Sequence, residues 1–441
     1  MKSVLIKKNN NALAGKLSFP GDKSLSHRAI IFGSLAHGIS RFTNVLSSED
    51  CVCTRSAFES MGVRIDSASP GELTIHGRGL RALKKPALAL DCGNSGTSMR
   101  LLSGVLAGNE FEAVLTGDPS LSRRPMGRVT EHLRAMGARI EGRENGNFAP
   151  LKIKGGALKG IDAHLKISSA QVKSAIFLAA LYARGTTRVT EPIRSRDHTE
   201  RFLKYFGASL NVNGLTATLE PGKELEARSF AIAGDISSAA FFMALAVLTP
   251  QAALEFVSVL DNPTRTGVLE VLKRMGAVFG DYHCTASGGV GGPESLADFS
   301  LGFQRLKSFE IKKEELPSLI DEIPILTVLA TQAKGTSVIH EADELRVKET
   351  DRIHSMVTTL TEMGAKIRVE KNTLFIEGPT PLKGTRVNSF KDHRTAMSLI
   401  VAGLIAEGQT RVDDLDCINT SFPDFFELLK KAGAGLEFID T

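Results

Sequence analysis

One short pattern recurs six times along the 441-residue chain: a hydrophobic residue, a glycine and a small apolar residue. Its glycines are Gly62, Gly137, Gly207, Gly276, Gly364 and Gly433. They lie about 70 residues apart, except for one larger gap that holds a glycine-rich insert at 280–292. A period of roughly this length is too long for a solenoid repeat and suits a small α/β unit with its own hairpin.

Each copy also begins with a helix-like apolar stretch opened by small or polar residues. These openings lie near Gly21, Gly93, Ser168, Gly234, Asp321 and Asp392. Within a copy the pattern predicts strand, helix, strand, helix and a two-stranded hairpin, which is a βαβαββ unit. Three copies precede residue 233 and three follow it, so we predict an α/β protein of two similar halves. The N-terminal strand at 3–6 precedes the first copy and is compatible with membership of the second half.

Length and composition exclude several classes of protein. A chain of 441 residues exceeds the ~250–300 at which a single core stops growing, so we expect two domains. Residues 1–10 lack the apolar centre of a secretion signal, and the most apolar runs are far shorter than the ~18 residues that cross a bilayer. We therefore expect a cytoplasmic protein. The five cysteines lack the paired spacing of a zinc site, and we expect free thiols, several of them buried.

The net charge of +5 comes without any long run of Lys and Arg, and the chain has no Trp and only three Tyr. Nucleic-acid binding is disfavoured, because both a basic arm and base-stacking aromatics are poorly supplied. The modest basic balance suits a cleft for small anions instead.

Positively charged groups recur at the predicted helix starts. At the first, Lys23, Ser24 and Arg28 can converge on one phosphate or carboxylate at the positive end of the helix dipole. Taken alone, this stretch is equally compatible with an ordinary capped helix whose Lys and Arg are solvated. Related groups follow at the openings near Gly93 and Ser168, and in the loop from 117 to 125. Their repetition indicates that many helix N-termini point into one interdomain cleft.

Two clusters in the second half add carboxylates. In the stretch 346–352, Lys348 and Arg352 are at helical spacing with Glu349 between them, so they are predicted to share a helix face. The alternatives are a surface salt-bridge face and, for Glu349, simple pairing with Arg352. The second cluster, at 391–394, lies at a helix entry, where a cap with a solvated Arg394 is the alternative. Asp321 has the alternative of capping the apolar helix that runs through residue 329.

Several motifs together resemble the EPSP synthase (3-phosphoshikimate 1-carboxyvinyltransferase) family over nearly the whole chain. They are GDKS at 21–24 followed by Arg28, GNSGT at 93–97, RVKETDR at 346–352 and DHR at 392–394. Three further stretches resemble the class II branch of the family: SAQVK at 169–173, RDHTE at 196–200 and NPTR at 262–265.

The resemblance implies an inside-out α/β barrel fold with two domains of three βαβαββ units each. Domain 1 would comprise 1–20 plus 234–441, and domain 2, inserted into it, 21–233, with the active site in the cleft between them. The implied reaction transfers the carboxyvinyl group of phosphoenolpyruvate to the 5-hydroxyl of shikimate 3-phosphate and releases phosphate. It needs no metal or organic cofactor, and the family implies a monomer without nucleic-acid or membrane partners.

The resemblance also implies a role for each site residue. Asp321 would be the base for the hydroxyl, Glu349 the proton donor to C3 of phosphoenolpyruvate, and Lys23 a phosphate ligand that also moves protons. The implied contacts to shikimate 3-phosphate are Lys23, Ser24, Arg28, Ser169, Gln171, Arg196, Asp321 and Lys348. The implied contacts to phosphoenolpyruvate are Lys23, Gly96, Arg124, Gln171, Arg352 and Arg394. Arginines suit this task because a planar guanidinium holds a carboxylate or phosphate through two parallel hydrogen bonds.

The sequence departs from the family pattern at two positions. Thr420 stands where many glyphosate-sensitive members have a Lys that contacts phosphoenolpyruvate. Gly96 stands where tolerant class II members often have Ala, so this residue and the class II motifs point in opposite directions for glyphosate tolerance.

Three other functions were weighed. A carboxyvinyltransferase acting on UDP-N-acetylglucosamine typically has Lys-Asn at the first helix and a loop Cys as acid, whereas this chain has Lys23-Ser24 and no Cys in 117–125. An RNA 3′-phosphate cyclase of related fold needs a nucleotidylated His and a more basic face. A non-catalytic binding module does not need Asp321 and Glu349 together with so many anion ligands.

The insert at 288–292 is interpreted as a surface excursion, since no Lys-Ser or Lys-Thr follows it as in a phosphate loop.

Overall fold

The computed structural model describes residues 3–439. Its strands form six four-stranded sheets that share one construction. The strands are β1 (Ser3–Lys7), β2 (Ala14–Ser18), β3 (His37–Thr43), β4 (Arg64–Asp66), β5 (Leu73–Arg78), β6 (Leu90–Asp91), β7 (Glu112–Thr116), β8 (Arg139–Gly142), β9 (Phe148–Lys154), β10 (Asp162–His164), β11 (Thr187–Thr190), β12 (Ser209–Asn213), β13 (Thr216–Glu220), β14 (Phe230–Ala231), β15 (Ala253–Leu260), β16 (Gly280–Thr285), β17 (Leu296–Gly302), β18 (Glu310–Ile311), β19 (Gly335–Ile339), β20 (Lys366–Glu370), β21 (Thr373–Gly378), β22 (Arg386–Asn388), β23 (Gln409–Asp413) and β24 (Glu437–Ile439).

The helices alternate with these strands. They are α1 (Lys23–Leu35), α2 (Glu49–Ser60), α3 (Gly96–Ala107), α4 (Gly127–Met136), the single turn α5 (Arg143–Gly146), α6 (Ala170–Ala180), α7 (His198–Tyr205), α8 (Ile236–Leu248), α9 (Gly267–Arg274), α10 (Leu316–Leu319), α11 (Ile323–Gln332), α12 (Arg352–Glu362), α13 (His393–Ile405) and α14 (Phe425–Lys431). Short 3₁₀ helices cover Leu121–Arg123, Lys313–Glu315, Asp343–Val347 and Leu415–Thr420.

Each sheet repeats one pairing scheme. Two strands pair in parallel across a helical connection, and the second of them pairs antiparallel with a two-stranded hairpin, as in the order β10-β11-β13-β12. This is the βαβαββ unit predicted from the sequence. Three sheets are completed by a strand distant in sequence: β14 joins β3, β2 joins β15, and β1 joins β23 and β24. The N-terminal strand therefore belongs to the second half of the chain.

The chain divides into two compact units. Unit 1 comprises residues up to Pro20, Gly234–Thr285 and from Ser295 onward; unit 2 comprises Gly21–Ala233 and Ala286–Glu294. The segment Ala286–Glu294 thus falls in unit 2, whereas the sequence-based domain 1 runs unbroken from 234 to 441. Part of the glycine-rich insert lies on the surface, since Val290 is 72% exposed. Glu294 is instead buried, and its Oε1 lies 2.7 Å from Nδ1 of His198.

The first helix of each of the six βαβαββ units is buried over nearly its whole circumference, as an all-round apolar helix must be. In α8, for example, 12 of the 13 residues are buried. The second helices are amphipathic and end at the six repeated glycines, whose φ values run from 87° to 115°. This left-handed conformation is strained for residues with a Cβ, which explains why glycine recurs there.

Two predictions from composition can also be compared with the structure. All five cysteines are free thiols, and Cys51 and Cys92 are buried, as expected. Among residues 3–439, no helix combines the length and apolar character that crossing a bilayer requires.

Candidate active site

In unit 2, the predicted helix starts are capped by side chains. Asp22 accepts from the N–H of Leu25 at the start of α1, Ser95 from Ser98 at the start of α3, and Ser169 from Val172 at the start of α6. Each cap uses one of the four N–H groups that a helix cannot satisfy itself and leaves the positive end of the dipole in place. The predicted site residues Lys23, Ser24, Gly96 and Gln171 lie in these first turns.

Arg28 is the most buried of the predicted ligands in unit 2, with 3% of its surface exposed. Its Nε donates to Oγ1 of Thr199 (2.7 Å), Nη1 to the carbonyl of Ser24 (2.9 Å) and Nη2 to Oγ of Ser174 (2.8 Å). All three acceptors are neutral. Burial lowers the pKa of Arg28 to about 10; the carboxylates of Glu200, Asp22 and Glu294 oppose that shift, and the charge of Arg196 adds to it. Arg28 and Arg196 therefore carry charges close enough to repel each other, which a shared anion would relieve.

A second group of contacts links α3 to α6. Nη1 of Arg100 donates to Oε1 of Gln171 (2.5 Å), whose Nε2 donates to Oγ1 of Thr97 (2.9 Å). Gly96 lies beside this link: a Cβ on Gly96 would meet Nη1 of Arg100 at 3.0 Å and Nη1 of Arg124 at 3.5 Å. The backbone of Gly96 is thus within reach of two guanidinium groups.

Arg124 is held by the loop before α3. Its Nη2 donates to Oδ1 of Asn94 (2.5 Å) and its Nη1 to the Asn94 carbonyl (3.2 Å). Asn94 is fixed in turn by donating from Nδ2 to Asp118 (2.7 Å). We call Arg28, Arg100 and Arg124 with these neutral partners the arginine–hydroxyl/amide cluster.

Lys23 is the one predicted ligand of unit 2 with a carboxylate contact that the structure specifies: its Nζ lies 3.1 Å from Oδ2 of Asp50. On the same helix, burial lowers the pKa of His27 to about 3, and the charges of Lys23 and Arg28 contribute to the shift. After burial, which is the larger cause, the charges of Lys23 and Arg28 thus act against a further positive charge at this helix start.

In unit 1, Arg352 lies at the centre of a carboxylate network. Its Nε donates to Oδ2 of Asp392 (2.9 Å), Nη2 to Oε2 of Glu349 (2.6 Å) and Nη1 to Oδ1 of Asp321 (3.4 Å). Burial alone would lower the pKa of Arg352, but the charges of Asp392, Glu349 and Asp321 outweigh it and raise the pKa above its ordinary value. One buried guanidinium therefore touches both of the carboxylates predicted to be catalytic.

Arg394 completes this network from the first turn of α13, which Asp392 caps. Its Nη1 donates to the carbonyl of Asp321 (2.9 Å), and its Nε lies 3.8 Å from Oδ1 of the same residue. We call Arg352 and Arg394 with Asp321, Glu349 and Asp392 the arginine–carboxylate cluster.

The structure contradicts one local prediction and one alternative in this region. Lys348 and Arg352 do not share a helix face, because residue 348 is extended and α12 begins only at Arg352, where Asp351 caps it by accepting from the N–H of His354. Asp321 does not cap α11: Glu322 occupies that position, without a side-chain capping bond. The turn after α10 leads directly into α11, so Asp321 is left to face the arginines.

Known proteins resemble this chain over nearly its whole length. The family model for EPSP synthase (3-phosphoshikimate 1-carboxyvinyltransferase) matches residues 7–429. The 3-phosphoshikimate 1-carboxyvinyltransferases of Bacillus anthracis (strain A0248) and Bacillus cereus (strain B4264) are each 46% identical over 431 residues, covering 98% of this chain and 99% of theirs. The chain belongs to the EPSP synthase family.

Two solved EPSP synthase structures from Acinetobacter baumannii agree with this assignment. One is 44% identical with a TM-score of 0.88 and 99% coverage of both chains; the other is 42% identical with a TM-score of 0.88 and full coverage of both. They confirm the predicted family and the predicted fold, a two-domain inside-out α/β barrel. The family also confirms the predicted enzyme class.

At Thr420, where many members of the EPSP synthase family have a lysine, the structure has a hydroxyl in a polar contact. Oγ1 of Thr420 donates to the carbonyl of Cys417 (2.7 Å) and lies 3.4 Å from Nδ1 of His393, the first residue of α13. The position therefore contributes a neutral hydroxyl beside His393, the residue that directly precedes Arg394, and it contributes no charge.

Sequence reasoning missed the residues that hold the arginines. The sequence marks Asp392 as a helix opening but not as a partner of Arg352, and it assigns no role to Asn94, Ser174 or Thr199. The signal is present for three of them: Asp392 lies in DHR, Asn94 in GNSGT and Thr199 in RDHTE. The contacts themselves join residues up to 171 positions apart, such as Arg28 and Thr199, and no local pattern specifies such a pair.

Proposed function

We propose that the chain transfers the carboxyvinyl group of phosphoenolpyruvate to the 5-hydroxyl of shikimate 3-phosphate, the reaction for which its relatives are named. The products are 5-O-(1-carboxyvinyl)-3-phosphoshikimate and phosphate, within the shikimate pathway to chorismate and the aromatic amino acids. The observation that supports this most directly is the arginine–carboxylate cluster, in which Asp321 and Glu349 both contact Arg352. The reaction needs an acid, a base and a cation together.

In this proposal the chemistry runs through addition and elimination. Asp321 accepts the proton of the 5-hydroxyl, Glu349 donates a proton to C3 of phosphoenolpyruvate, and the hydroxyl oxygen bonds to C2, giving a tetrahedral intermediate. Loss of the proton from C3 and cleavage of the bond between C2 and the phosphate oxygen then form the enol ether and phosphate. The buried guanidinium of Arg352 stays protonated. It therefore stabilises the carboxylate forms of Asp321 and Glu349 and the negative charge that develops during the reaction.

The remaining predicted residues are proposed as ligands. Shikimate 3-phosphate would contact Lys23, Ser24, Arg28, Ser169, Gln171, Arg196, Asp321 and Lys348, and phosphoenolpyruvate would contact Lys23, Gly96, Arg124, Gln171, Arg352 and Arg394. We further propose that units 1 and 2 are the two domains of the enzyme and that both supply ligands to one pair of substrates. We also propose a monomeric enzyme, as the family implies, that works in the cytoplasm.

The first test is an assay with the purified chain. Shikimate 3-phosphate plus phosphoenolpyruvate should release phosphate in the presence of a metal chelator and without nucleotide, and product should form in equal amount. Parallel reactions contain UDP-N-acetylglucosamine in place of shikimate 3-phosphate. Phosphate release only in that second reaction would contradict the proposal and favour the sibling transferase.

The second test addresses the proposed role of Lys23. Lys23→Met should remove most activity while the melting temperature stays close to that of the wild type, because the ammonium contributes little apolar packing and its partner Asp50 is 12% exposed and can be hydrated. The matched control is Lys85→Met on the exposed surface of unit 2, which should keep wild-type activity. Full activity in Lys23→Met would overturn the assignment.

A further inference from the structure

A buried group of three charged residues lies in unit 2, outside the residues given a role above. Nζ of Lys173 lies 2.6 Å from Oε2 of Glu191 and 2.6 Å from Oε1 of Glu200, and all three side chains are at most 7% exposed. Lys173 belongs to α6, Glu191 directly follows β11, and Glu200 belongs to α7. We call these three residues the lysine–glutamate triad.

The triad needs an explanation other than stability. Burying three charges carries a desolvation cost that their mutual attraction often only offsets, and apolar residues of similar volume can hold a core equally well. The carboxylates do keep the lysine charged: burial would lower the pKa of Lys173, but Glu200 and Glu191 outweigh it and raise the pKa above its ordinary value. A charged group retained at such cost suggests a requirement for fixed geometry.

The triad holds the residues next to the proposed ligands of shikimate 3-phosphate. Glu191 accepts hydrogen bonds from the hydroxyl of Ser195 and, at 3.4 Å, from its backbone N–H. Ser195 directly precedes Arg196. Glu191 therefore ties the turn that carries Arg196 to the ammonium group of Lys173.

The other two members act on Arg28. Glu200 follows Thr199, which accepts from Nε of Arg28, and Lys173 precedes Ser174, which accepts from Nη2 of Arg28. The hydroxyls of Ser174 and Thr199 also lie 2.6 Å apart, so α6 and α7 meet at Arg28. The charge contacts of the triad thus link the two helices that orient this guanidinium.

Packing alone does not fix this region. A cavity of about 240 Å³ borders the triad and is lined by all three of its members and by Arg194, Asp197 and Arg201, among others. Oε2 of Glu200 has no hydrogen-bond partner within the described part of the chain. The turn from 191 to 197 therefore borders open space on one side, and the charge contacts hold it together with the hydrogen bonds between Ser168 and the backbone of Ile193.

We propose that Lys173, Glu191 and Glu200 are positioning residues that hold Arg196 and Arg28 in the geometry that binds shikimate 3-phosphate. The inference rests on the proposed function and deepens it. Lys173→Met is the obvious variant, but two unpaired buried carboxylates could prevent folding. The sharper variant is Ser195→Ala, which removes the hydroxyl bond between the triad and the residue before Arg196 without removing a buried charge and keeps only the long backbone bond. Glu191→Gln, close in shape to the wild type, tests the same link.

Steady-state kinetics with both substrates varied is the measurement. Ser195→Ala should raise the KM for shikimate 3-phosphate about 10-fold, as expected for a lost hydrogen bond to a charged group. The kcat and the KM for phosphoenolpyruvate should stay within about 2-fold of the wild type, because Ser195 acts on a ligand of the other substrate. Ser195→Thr keeps a hydroxyl and should restore the KM for shikimate 3-phosphate. The matched control is Ser103→Ala, a buried serine that donates to the Met99 carbonyl of its own helix and should leave all constants unchanged.

A double-mutant cycle separates positioning from general damage. If Ser195 acts through Arg196, then Ser195→Ala should have no further effect on the KM in an Arg196→Ala background. A wild-type KM in Ser195→Ala, or effects of the two variants that multiply, would overturn the inference. A wild-type enzyme that fails to convert the two substrates would instead overturn the proposed function, so the two failures are distinguishable.

Discussion

The arginines of the two units are held in different ways. In unit 2, Arg28, Arg100 and Arg124 donate to hydroxyl, amide and carbonyl oxygens, which are neutral. In unit 1, Arg352 and Arg394 lie against carboxylates, three of them around Arg352 alone. The hydrogen-bond acceptors that the structure specifies for these arginines are thus neutral groups in unit 2 and mainly carboxylates in unit 1.

This difference matches the two tasks of the proposed reaction. A guanidinium whose hydrogen-bond acceptors are neutral keeps more of its attraction for a phosphate or carboxylate than one that contacts carboxylates directly. A guanidinium among carboxylates attracts an added anion less, but it orients those carboxylates for proton transfer. We infer that unit 2 supplies mainly substrate binding and unit 1 mainly acid–base chemistry. Four tests would break or sharpen this division.

The largest effect is expected from Asp321→Asn in unit 1. The amide cannot accept the hydroxyl proton, so kcat should fall by roughly 10²–10⁴-fold. The backbone carbonyl that accepts from Arg394 is unchanged, and the fold should survive. Rapid-quench or steady-state assays measure kcat, and calorimetric titration should show that shikimate 3-phosphate still binds. A kcat within 10-fold of the wild type would remove Asp321 from the chemistry.

The second comparison sets Arg352→Met against Arg28→Met. Loss of Arg352 leaves the buried carboxylate of Asp392 unpaired, which should cost about 3–5 kcal/mol of unfolding free energy. Loss of Arg28 leaves two hydroxyls and a carbonyl without its hydrogen bonds but leaves no carboxylate that contacts it directly, and should cost about 1–3 kcal/mol. Urea unfolding of both variants measures the difference. Equal losses would show that the two arginines are held by equivalent contacts, against the division drawn here.

Much of the fold was predictable because its determinants are local. The six glycines mark helix ends where a left-handed φ is needed, and Asp22, Ser95 and Asp392 are residues that prefer helix starts. The same rule could have prevented one error: Asp351 is a good cap, so the stretch from 348 to 351 should have been read as the lead into α12. Helical spacing was applied there to residues outside any helix.

The rest of the site depends on contacts across long stretches of sequence. Asp392 holds Arg352 from 40 positions away, and Glu200 meets Lys173 through the packing of two separate helices. The three strands that complete sheets far from their own position, β1, β2 and β14, are similar cases. Periodicity and capping act over a few residues, so they indicate where a charged group starts a helix but not which partner it meets.

A third prediction concerns the pH dependence of stability in unit 2. The pKa of His27 falls to about 3 on folding, from an ordinary value near 6.5, so the unfolded chain takes up a proton that the folded chain does not. The contribution of neutral His27 to the free energy of unfolding is fully present above about pH 6.5. It is lost as the pH falls toward 3, by up to about 1.4 kcal/mol per pH unit. His27→Gln, which can still bond to Thr54, should remove that slope. Urea unfolding between pH 7 and 5 tests this, and parallel pH profiles for the two proteins would contradict it.

The smallest effect is expected from Gly96→Ala. Gly96 begins α3 with an ordinary helical backbone, so alanine should leave the unfolding free energy within about 0.5 kcal/mol of the wild type. The new methyl would lie 3.0 Å from Arg100 and 3.5 Å from Arg124, and both neighbours are the ends of flexible side chains. Because Arg124 is the proposed phosphoenolpyruvate ligand, the KM for phosphoenolpyruvate should rise by roughly 2–10-fold, equivalent to about 0.4–1.4 kcal/mol. The KM for shikimate 3-phosphate should change less, since Arg28 and Arg196 are not among the neighbours of that methyl. If the KM for shikimate 3-phosphate rises instead, the first turn of α3 and Arg124 serve the other substrate, and binding in unit 2 is divided differently from the scheme proposed here.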